Sequence, residues 1–234
     1  MTRSVEALVD EQARRWEILR DGRKIETRRP VVTISRQHGA RGEELGQRLA
    51  AELGYDFFDQ EIINRIAESG HLSERVVSSL DEKNRELLTD WLAAVADQTY
   101  LSPAEYRYHL TRVVGVIAHQ GGAVILGRGS HLILNPGQAL RVFVVAPLEA
   151  RVRHVMERQG LSERDARRRI ASVESDLRAY LMQHFHADLG DLASFDLTVN
   201  TGILGVDGGC SVVRAALAQL PHRSTRDALP GSKA

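Results

Sequence analysis

One cysteine, Cys210, is all that the chain of 234 residues contains, so no disulfide framework holds it and a reducing compartment is the setting it suits. Net charge is missing as well. Lysine plus arginine and aspartate plus glutamate balance at 31 each, which excludes an overall field that would draw in nucleic acid or a membrane surface. No nucleic-acid partner is expected. No apolar run reaches bilayer-spanning length, and the opening MTRSVEALVDEQARRWEILRDGRK is too polar for a signal peptide. A cytoplasmic protein without a membrane partner is the expectation. Internal repeats are absent, and a hydrophobic content of 43% suits one globular domain carrying a mobile subdomain.

What is present is an alternation of apolar patterns. Val5, Leu8, Val9, Ala13, Trp16 and Leu19 recur at helical spacing over residues 4–20, predicting an amphipathic helix that docks on the body or builds a homodimer. Arg28-Arg29-Pro30 then breaks any helix and delivers a strand over 31–35. Leu45, Leu49 and Leu53 repeat every fourth residue up to a stop at Gly54. An extended stretch over 55–59 leads into a helix over 60–69 and helix-rich sequence over 73–100. Ser102-Pro103-Ala104-Glu105 opens the next helix with an N-cap, a proline at the first position and a capping-box glutamate, and Gly121-Gly122 ends it. The runs 123–126 and 141–146 are rich in apolar residues and too short for helices, which fits strands buried on both faces. Helices are predicted between Pro147 and Gly160, from Ser162 (boxed by Asp165) to about Phe185, and near 208–220, with a strand over 195–199 between the last two. The tail from 221 to 234 is expected to be disordered. Such alternation predicts an α/β fold, a parallel sheet flanked by helices, with ligands bound outside the carboxyl ends of the strands.

The first strand ends in SRQHGARGEE, residues 35–44. Strand, glycines and helix in that order are the layout of a phosphate-binding loop. Backbone N–H groups and a helix N-terminus surround the phosphates there, while a lysine supplies charge and a hydroxyl holds magnesium. Here the lysine is missing. With Gly42 set at its position, Arg36 falls on the first glycine, and Glu43-Glu44 stand where the hydroxyl belongs. Gly39 and Gly42 still permit a backbone cradle. Arg36 and Arg41 are the two loop cations able to replace the lysine's charge, and Glu44 is a candidate for reaching magnesium. The competing reading is a plain turn whose glutamates complement the helix dipole.

Gly127-Arg128-Gly129 ends the strand over 123–126. Glycines on both sides let the backbone approach a ligand while the guanidinium grips a phosphate bidentately; the plainer alternative is a turn with a surface arginine. The helix from Ser162 carries Arg164, Arg167, Arg168, Arg169 and Arg178. Arg167 and Arg178 are eleven residues apart, close to three turns, and so share a face. Arginines on a mobile lid can close over transferring phosphates, whereas the plainer reading is a solvated face paired with Glu163, Asp165, Glu174 and Asp176. His184 and His186 lack acidic or cysteine partners at ligand spacing. They read, with His119 and His131, as ordinary polar residues, and Cys210 reads as a buried spectator.

In order along the chain, VTISRQHGARGEELGQRLAAELGYDFFDQEII, AVILGRGSHLIL, RVFVVAPLEARVRHVMERQGLSERDARRRI and FDLTVNTGIL resemble the cytidylate kinase-like family over about residues 31–220. That family is a branch of the P-loop nucleoside monophosphate kinases. The resemblance implies a P-loop kinase-like fold with a helical acceptor-binding segment over about 60–110 and a lid over about 161–190. It also implies ATP-dependent phosphoryl transfer to a nucleoside monophosphate, CMP or dCMP first, with ATP and Mg2+ as cofactors and nucleoside mono- and triphosphates as ligands. On the residues, it puts Ser35, Arg36, Gly39, Ala40, Arg41, Gly42, Glu43 and Glu44 around the donor phosphates, with Arg41 neutralising charge and Glu44 the metal candidate. Asp59 and Arg128 fall on the acceptor side, and Arg178 in the lid stabilises the transferring group. Two departures stand out: the lysine-less loop, and SVESDLRAY, where Ser175 and Leu177 occupy positions expected to be charged. They keep open a nucleotide-binding or sensing protein that has the fold without the transfer step. A scaffold acting through the N-terminal helix is a third alternative.

Overall fold

Val31 to Ile34 offers apolar or small side chains to both faces of a strand, and the chain answers by putting that strand in the middle of a sheet, where none of the four is more than 1% exposed. The computed structural model describes residues 29–61, 103–134 and 137–220, together with Arg14, Ile63 and Ala67. Five strands, β1 (Val31–Arg36), β2 (Asp56–Phe58), β3 (Ala123–Leu126), β4 (Ala139–Val145) and β5 (Leu197–Asn200), pair in the order β2-β3-β1-β4-β5. Every pairing is parallel. The helices are α1 (Gly42–Leu53), α2 (Pro103–Gln120), the single turn α3 (Ser130–Ile133), α4 (Leu148–Gln159), α5 (Glu163–Phe185) and α6 (Thr201–Leu217). This is the expected α/β class, a parallel sheet with helices on both faces.

Strand alternation divides the core. Val31 and Ile125 face Leu110, Val113, Val114 and Ile117 of α2, while Val32, Ile34, Val142 and Val144 face Leu45 and Leu49 of α1 and Val206, Cys210 and Val213 of α6. Leu45 and Leu49 are fully buried, each worth about 1.5–3 kcal/mol of transfer free energy. A separate small core, Val152, Val155, Ala166 and Ile170, glues α4 to α5. The predicted caps formed: Gly54 ends α1 in a left-handed conformation, and the Ser162 hydroxyl accepts the Asp165 N–H at the start of α5.

Three expectations shift. β4 begins at Ala139 rather than Arg141. α6 starts at Thr201, directly after β5 and well before residue 208, because the Asn200 side chain caps the Gly202 N–H. Gly205, at φ 66 and ψ −177, then bends the helix, so its two halves share no apolar period that a sequence pattern could reveal. α3 is one turn long, too short to leave a period at all. The helix over 4–20 with its homodimer role, the stretch 73–100, Ser102, most of the segment 60–110 and the tail 221–234 lie outside the described residues. Among the described residues no helix is long and apolar enough to cross a membrane.

Candidate active site

β1 delivers the glycine loop to the carboxyl edge of the sheet. The Val144 carbonyl of β4 accepts the Gln37 N–H at 2.9 Å, and the Gln37 carbonyl accepts the Ala40 N–H at 3.1 Å, closing a turn. The Thr201 hydroxyl reaches across from α6 to donate to the Ala40 carbonyl at 2.7 Å. Gly39 has φ +84, and a Cβ there would lie 2.8 Å from the Arg151 carbonyl oxygen, so no other residue fits. Arg41 also turns left-handed, at φ 58, and α1 starts at Gly42. The loop thus presents the first turn of a helix, whose N–H groups have no intrahelical partner, to the space outside the sheet.

The charges of the loop are arranged differently from expectation. Arg41 donates to one Glu44 oxygen through Nε at 3.0 Å and Nη2 at 2.7 Å, and His154 Nε2 approaches the other oxygen at 3.2 Å. The bond from Arg41 holds the Glu44 carboxyl below its ordinary pKa. Glu43 faces Arg158 at 3.4 Å. Arg41 is therefore paired with Glu44 on the half-exposed rim of the loop, while it also lines the cavity. The Glu44 carboxylate, the candidate for magnesium, is held through one oxygen by Arg41 and faces His154 with the other. Among the described residues no three His, Cys, Asp or Glu side chains gather to hold a metal.

On the far side of the cavity, Gly127 (φ 77), Arg128 (φ 54) and Gly129 (φ 66) form three successive left-handed residues after β3. For Arg128 this costs about 1–2 kcal/mol, strain of the kind that accumulates at functional sites. Its guanidinium carbon lies 5.3 Å from the centre of the Tyr180 ring on α5. Its Nε is buried and finds no hydrogen-bond acceptor among the described residues. Arg36, the last residue of β1, runs toward the same place and donates to Gln60 Oε1 at 2.9 Å. Burial lowers the Arg36 pKa; Glu43 and Asp59 act against this, and the like charge of Arg128 adds to it. Two guanidiniums that converge with an unsatisfied buried donor call for an anion with several acceptor oxygens. Phosphate fits that description.

A cavity of about 450 Å³ lies between the loop, α4, α5 and Arg128. Of the expected residues, Arg36, Gly39, Arg41, Gly42, Glu43 and Arg128 line it; Ser35, Ala40, Glu44, Asp59 and Arg178 do not. Strand alternation turns Ser35 inward, where its hydroxyl pairs with His131 Nδ1 at 3.0 Å, and Ala40 is wholly buried. The Asp59 carboxylate accepts the Glu61 N–H at 2.8 Å, acting as the cap of the following helix. Arg178 is exposed. The arginine of α5 that does line the cavity is Arg169, on a stripe with Val173, Leu177 and Tyr180. Arg178 is nine positions beyond Arg169, about two and a half turns, and so points the opposite way.

His38 and Gln60 also line the cavity without having been singled out from sequence. His38 Nε2 is buried without a partner among the described residues, and burial, helped by the positive charges of Arg169 and Arg36, lowers its pKa. Arg151 braces the site from below. Its Nε donates to the Ala146 carbonyl and its Nη1 to the His38 carbonyl and Glu174.

The model of the cytidylate kinase-like family matches residues 31–203. The cytidylate kinase of Ignicoccus hospitalis is 27% identical over 187 residues, covering 80% of this chain and 98% of that protein. The cytidylate kinase of Methanopyrus kandleri is 35% identical over 85 residues, 36% of this chain and 44% of its own length. Among solved structures, an uncharacterized protein from Eubacterium ventriosum shares the fold, with a TM-score of 0.57 at 17% identity over 82% of this chain and 99% of that one. Matched from its central strand to the start of its last helix, the chain belongs to the cytidylate kinase-like family.

Proposed function

We propose that the chain is an ATP-dependent phosphotransferase whose acceptor is a nucleoside monophosphate, CMP or dCMP first. The observation that carries this reading is Arg128, strained in its backbone and with a buried Nε short of an acceptor, across a cavity from a glycine loop that opens a helix. The named relatives are cytidylate kinases, which supports the same acceptor class. Phosphoryl transfer asks a protein for positioning and charge neutralisation rather than for a covalent nucleophile. The backbone of Gly39 to Glu44 would bind the donor phosphates through the first turn of α1. Arg128 would fix the acceptor phosphate, and Asp59 would set the helix leading into the acceptor segment. Arg169 on α5 would close over the site and help exclude water. ATP brings the phosphoryl group, and Mg2+ would be held chiefly by phosphate oxygens and water.

The test is a coupled assay with MgATP and a panel of nucleoside monophosphates. Turnover with CMP or dCMP is expected, and Arg128→Ala should lower kcat/KM for the acceptor by about 10²-fold or more. Turnover that survives that substitution intact would sink the acceptor-site assignment. One observation favours a second reading, a nucleotide-binding or sensing protein without transfer: the Arg41–Glu44 pair engages a loop cation. That reading predicts a rise in Tm with ATP and no product.

A further inference from the structure

Gly42 and Arg36 stand in each other's expected places. In a phosphate loop the lysine follows the last glycine and leans back over the phosphates. Here that position is Gly42, the first residue of α1, and the room beside it is taken. A Cβ at Gly42 would lie 2.7 Å from the Cβ of Arg36 and 3.1 Å from its Cγ. Arg36 itself stands where such loops begin with glycine. From there its side chain crosses toward the acceptor edge, and a Cβ on Gly127 would lie 2.6 Å from its Nη1. One glycine therefore leaves room for the stem of Arg36 and another for its head. The head ends between the donor loop and Arg128, on the wall of the same cavity. Arg41, the other loop cation, is paired with Glu44.

We propose that Arg36 is the cation that grips the transferring phosphoryl group, supplied from the end of β1 in place of a lysine at position 42, and that residue 42 is glycine because the stem of Arg36 needs its space. The inference rests on the phosphotransferase reading and names the residue that makes it workable. A guanidinium offers paired donors in a fixed fork. Placed beside both the loop and Arg128, Arg36 can touch oxygens of donor and acceptor at once, which a lysine reaching from the helix start has less scope to do. Its burial makes each such bond stronger than it would be in water.

The positional exchange can be reversed. Kinetics with MgATP and CMP, together with melting curves with and without ATP, should be measured for wild type, Arg36→Ala, Gly42→Lys, the double variant Arg36→Gly/Gly42→Lys (glycine, because the clash at 42 is with the Cβ of residue 36), and Arg128→Ala. Arg36→Ala should lower kcat by about 10²-fold or more while keeping the wild-type melting curve. Gly42→Lys alone should lower both Tm and turnover, because two side chains then compete for one space. The double variant should recover at least about tenfold over Arg36→Ala, since lysine returns to a vacated site. Arg36→Ala within about threefold of wild type, or a folded double variant no better than Arg36→Ala, overturns the proposal. Loss of turnover in Arg128→Ala alone would show that the acceptor site stands and only the role of Arg36 fails. If wild type does not turn over, the rise in Tm with ATP is the readout. Its loss in Arg36→Ala and return in the double variant support the proposal, and its persistence in Arg36→Ala overturns it. A wild type that ATP neither stabilises nor lets turn over overturns the function and the inference together.

Discussion

Arg151 on α4 meets Glu174 on α5 at 2.5 Å, with side chains only 9% and 20% exposed. The same guanidinium holds the carbonyls of Ala146 and His38, so one side chain joins the end of β4, the glycine loop and α5. Removing one partner of such a buried pair strands the other, at a cost of about 3–5 kcal/mol. Arg151→Met should accordingly lower the unfolding free energy by about 3 kcal/mol. Glu174→Gln, which keeps an acceptor for the guanidinium, should cost about 1 kcal/mol. Urea denaturation of both variants measures the difference, and equal losses would rule out Arg151 as the fastening.

Gly129 leaves room for a ring. A Cβ there would lie 2.4 Å from Cε2 of Phe185, near the end of α5, and the backbone is left-handed at φ +66. Gly129→Ala should cost about 1–2 kcal/mol in backbone strain alone and also push Phe185 away. The expected outcome is a lower Tm with faster hydrogen exchange in the last turns of α5. Unchanged exchange there would mean that α5 and the turn over 127–129 are not in contact in solution.

His131 gives the protein an acid limb to its stability. Burial, with a smaller contribution from the charge of Arg141, pushes its pKa down to about 4, against about 6.5 in an unfolded chain. Between those values the unfolded state binds a proton that the folded state refuses. Stability therefore falls as pH drops from about 6.5 to about 4, by about 3 kcal/mol in all, and this group causes no further loss below that. His131→Phe keeps the stack on Phe195, and adding Ser35→Ala leaves no hydroxyl unpaired. The double variant should show a shallower loss of unfolding free energy between pH 6.5 and 4. An unchanged slope would assign the acid limb to other groups.

Arg169 and Arg178 share a helix but not a face. Arg169→Ala is expected to raise KM for ATP or lower kcat by about tenfold or more. Arg178→Ala, which alters a solvated side chain, should stay within about twofold of wild type. Steady-state kinetics decide between them, and the reverse ranking would mean that α5 rotates on closing.

The sheet was legible because its strands are short apolar runs bounded by glycine and proline, and the glycine positions of both turns were legible for the same local reason. The pairing of Arg41 with Glu44 was also within reach, since residues three apart at a helix start are neighbours. What sequence did not carry was direction. The spacing of Arg167 and Arg178 is a true helical repeat, yet it says nothing about which face meets the body. Ala166 and Ile170 in the small core, and Val173 and Leu177 at the cavity, set that orientation. The path of Arg36 to Gln60 and Arg128 depends on strands that pair across long sequence separations, so no local pattern contains it.

The place of β1 in the sheet also governs how the chain is made. Its neighbours are β3 and β4, and Val32 must wait for Val124, Val31 for Ala139. Roughly ninety residues leave the ribosome before the first of these partners exists. At about 5–20 residues per second, the segment VVTIS stays an unpaired, uncharged, β-prone stretch for several seconds. Among the described residues, α1 on one side and Ile63 and Ala67 on the other are made early enough to shield it meanwhile. The glycine loop that lines the cavity thus hangs from the strand that is longest without its neighbours.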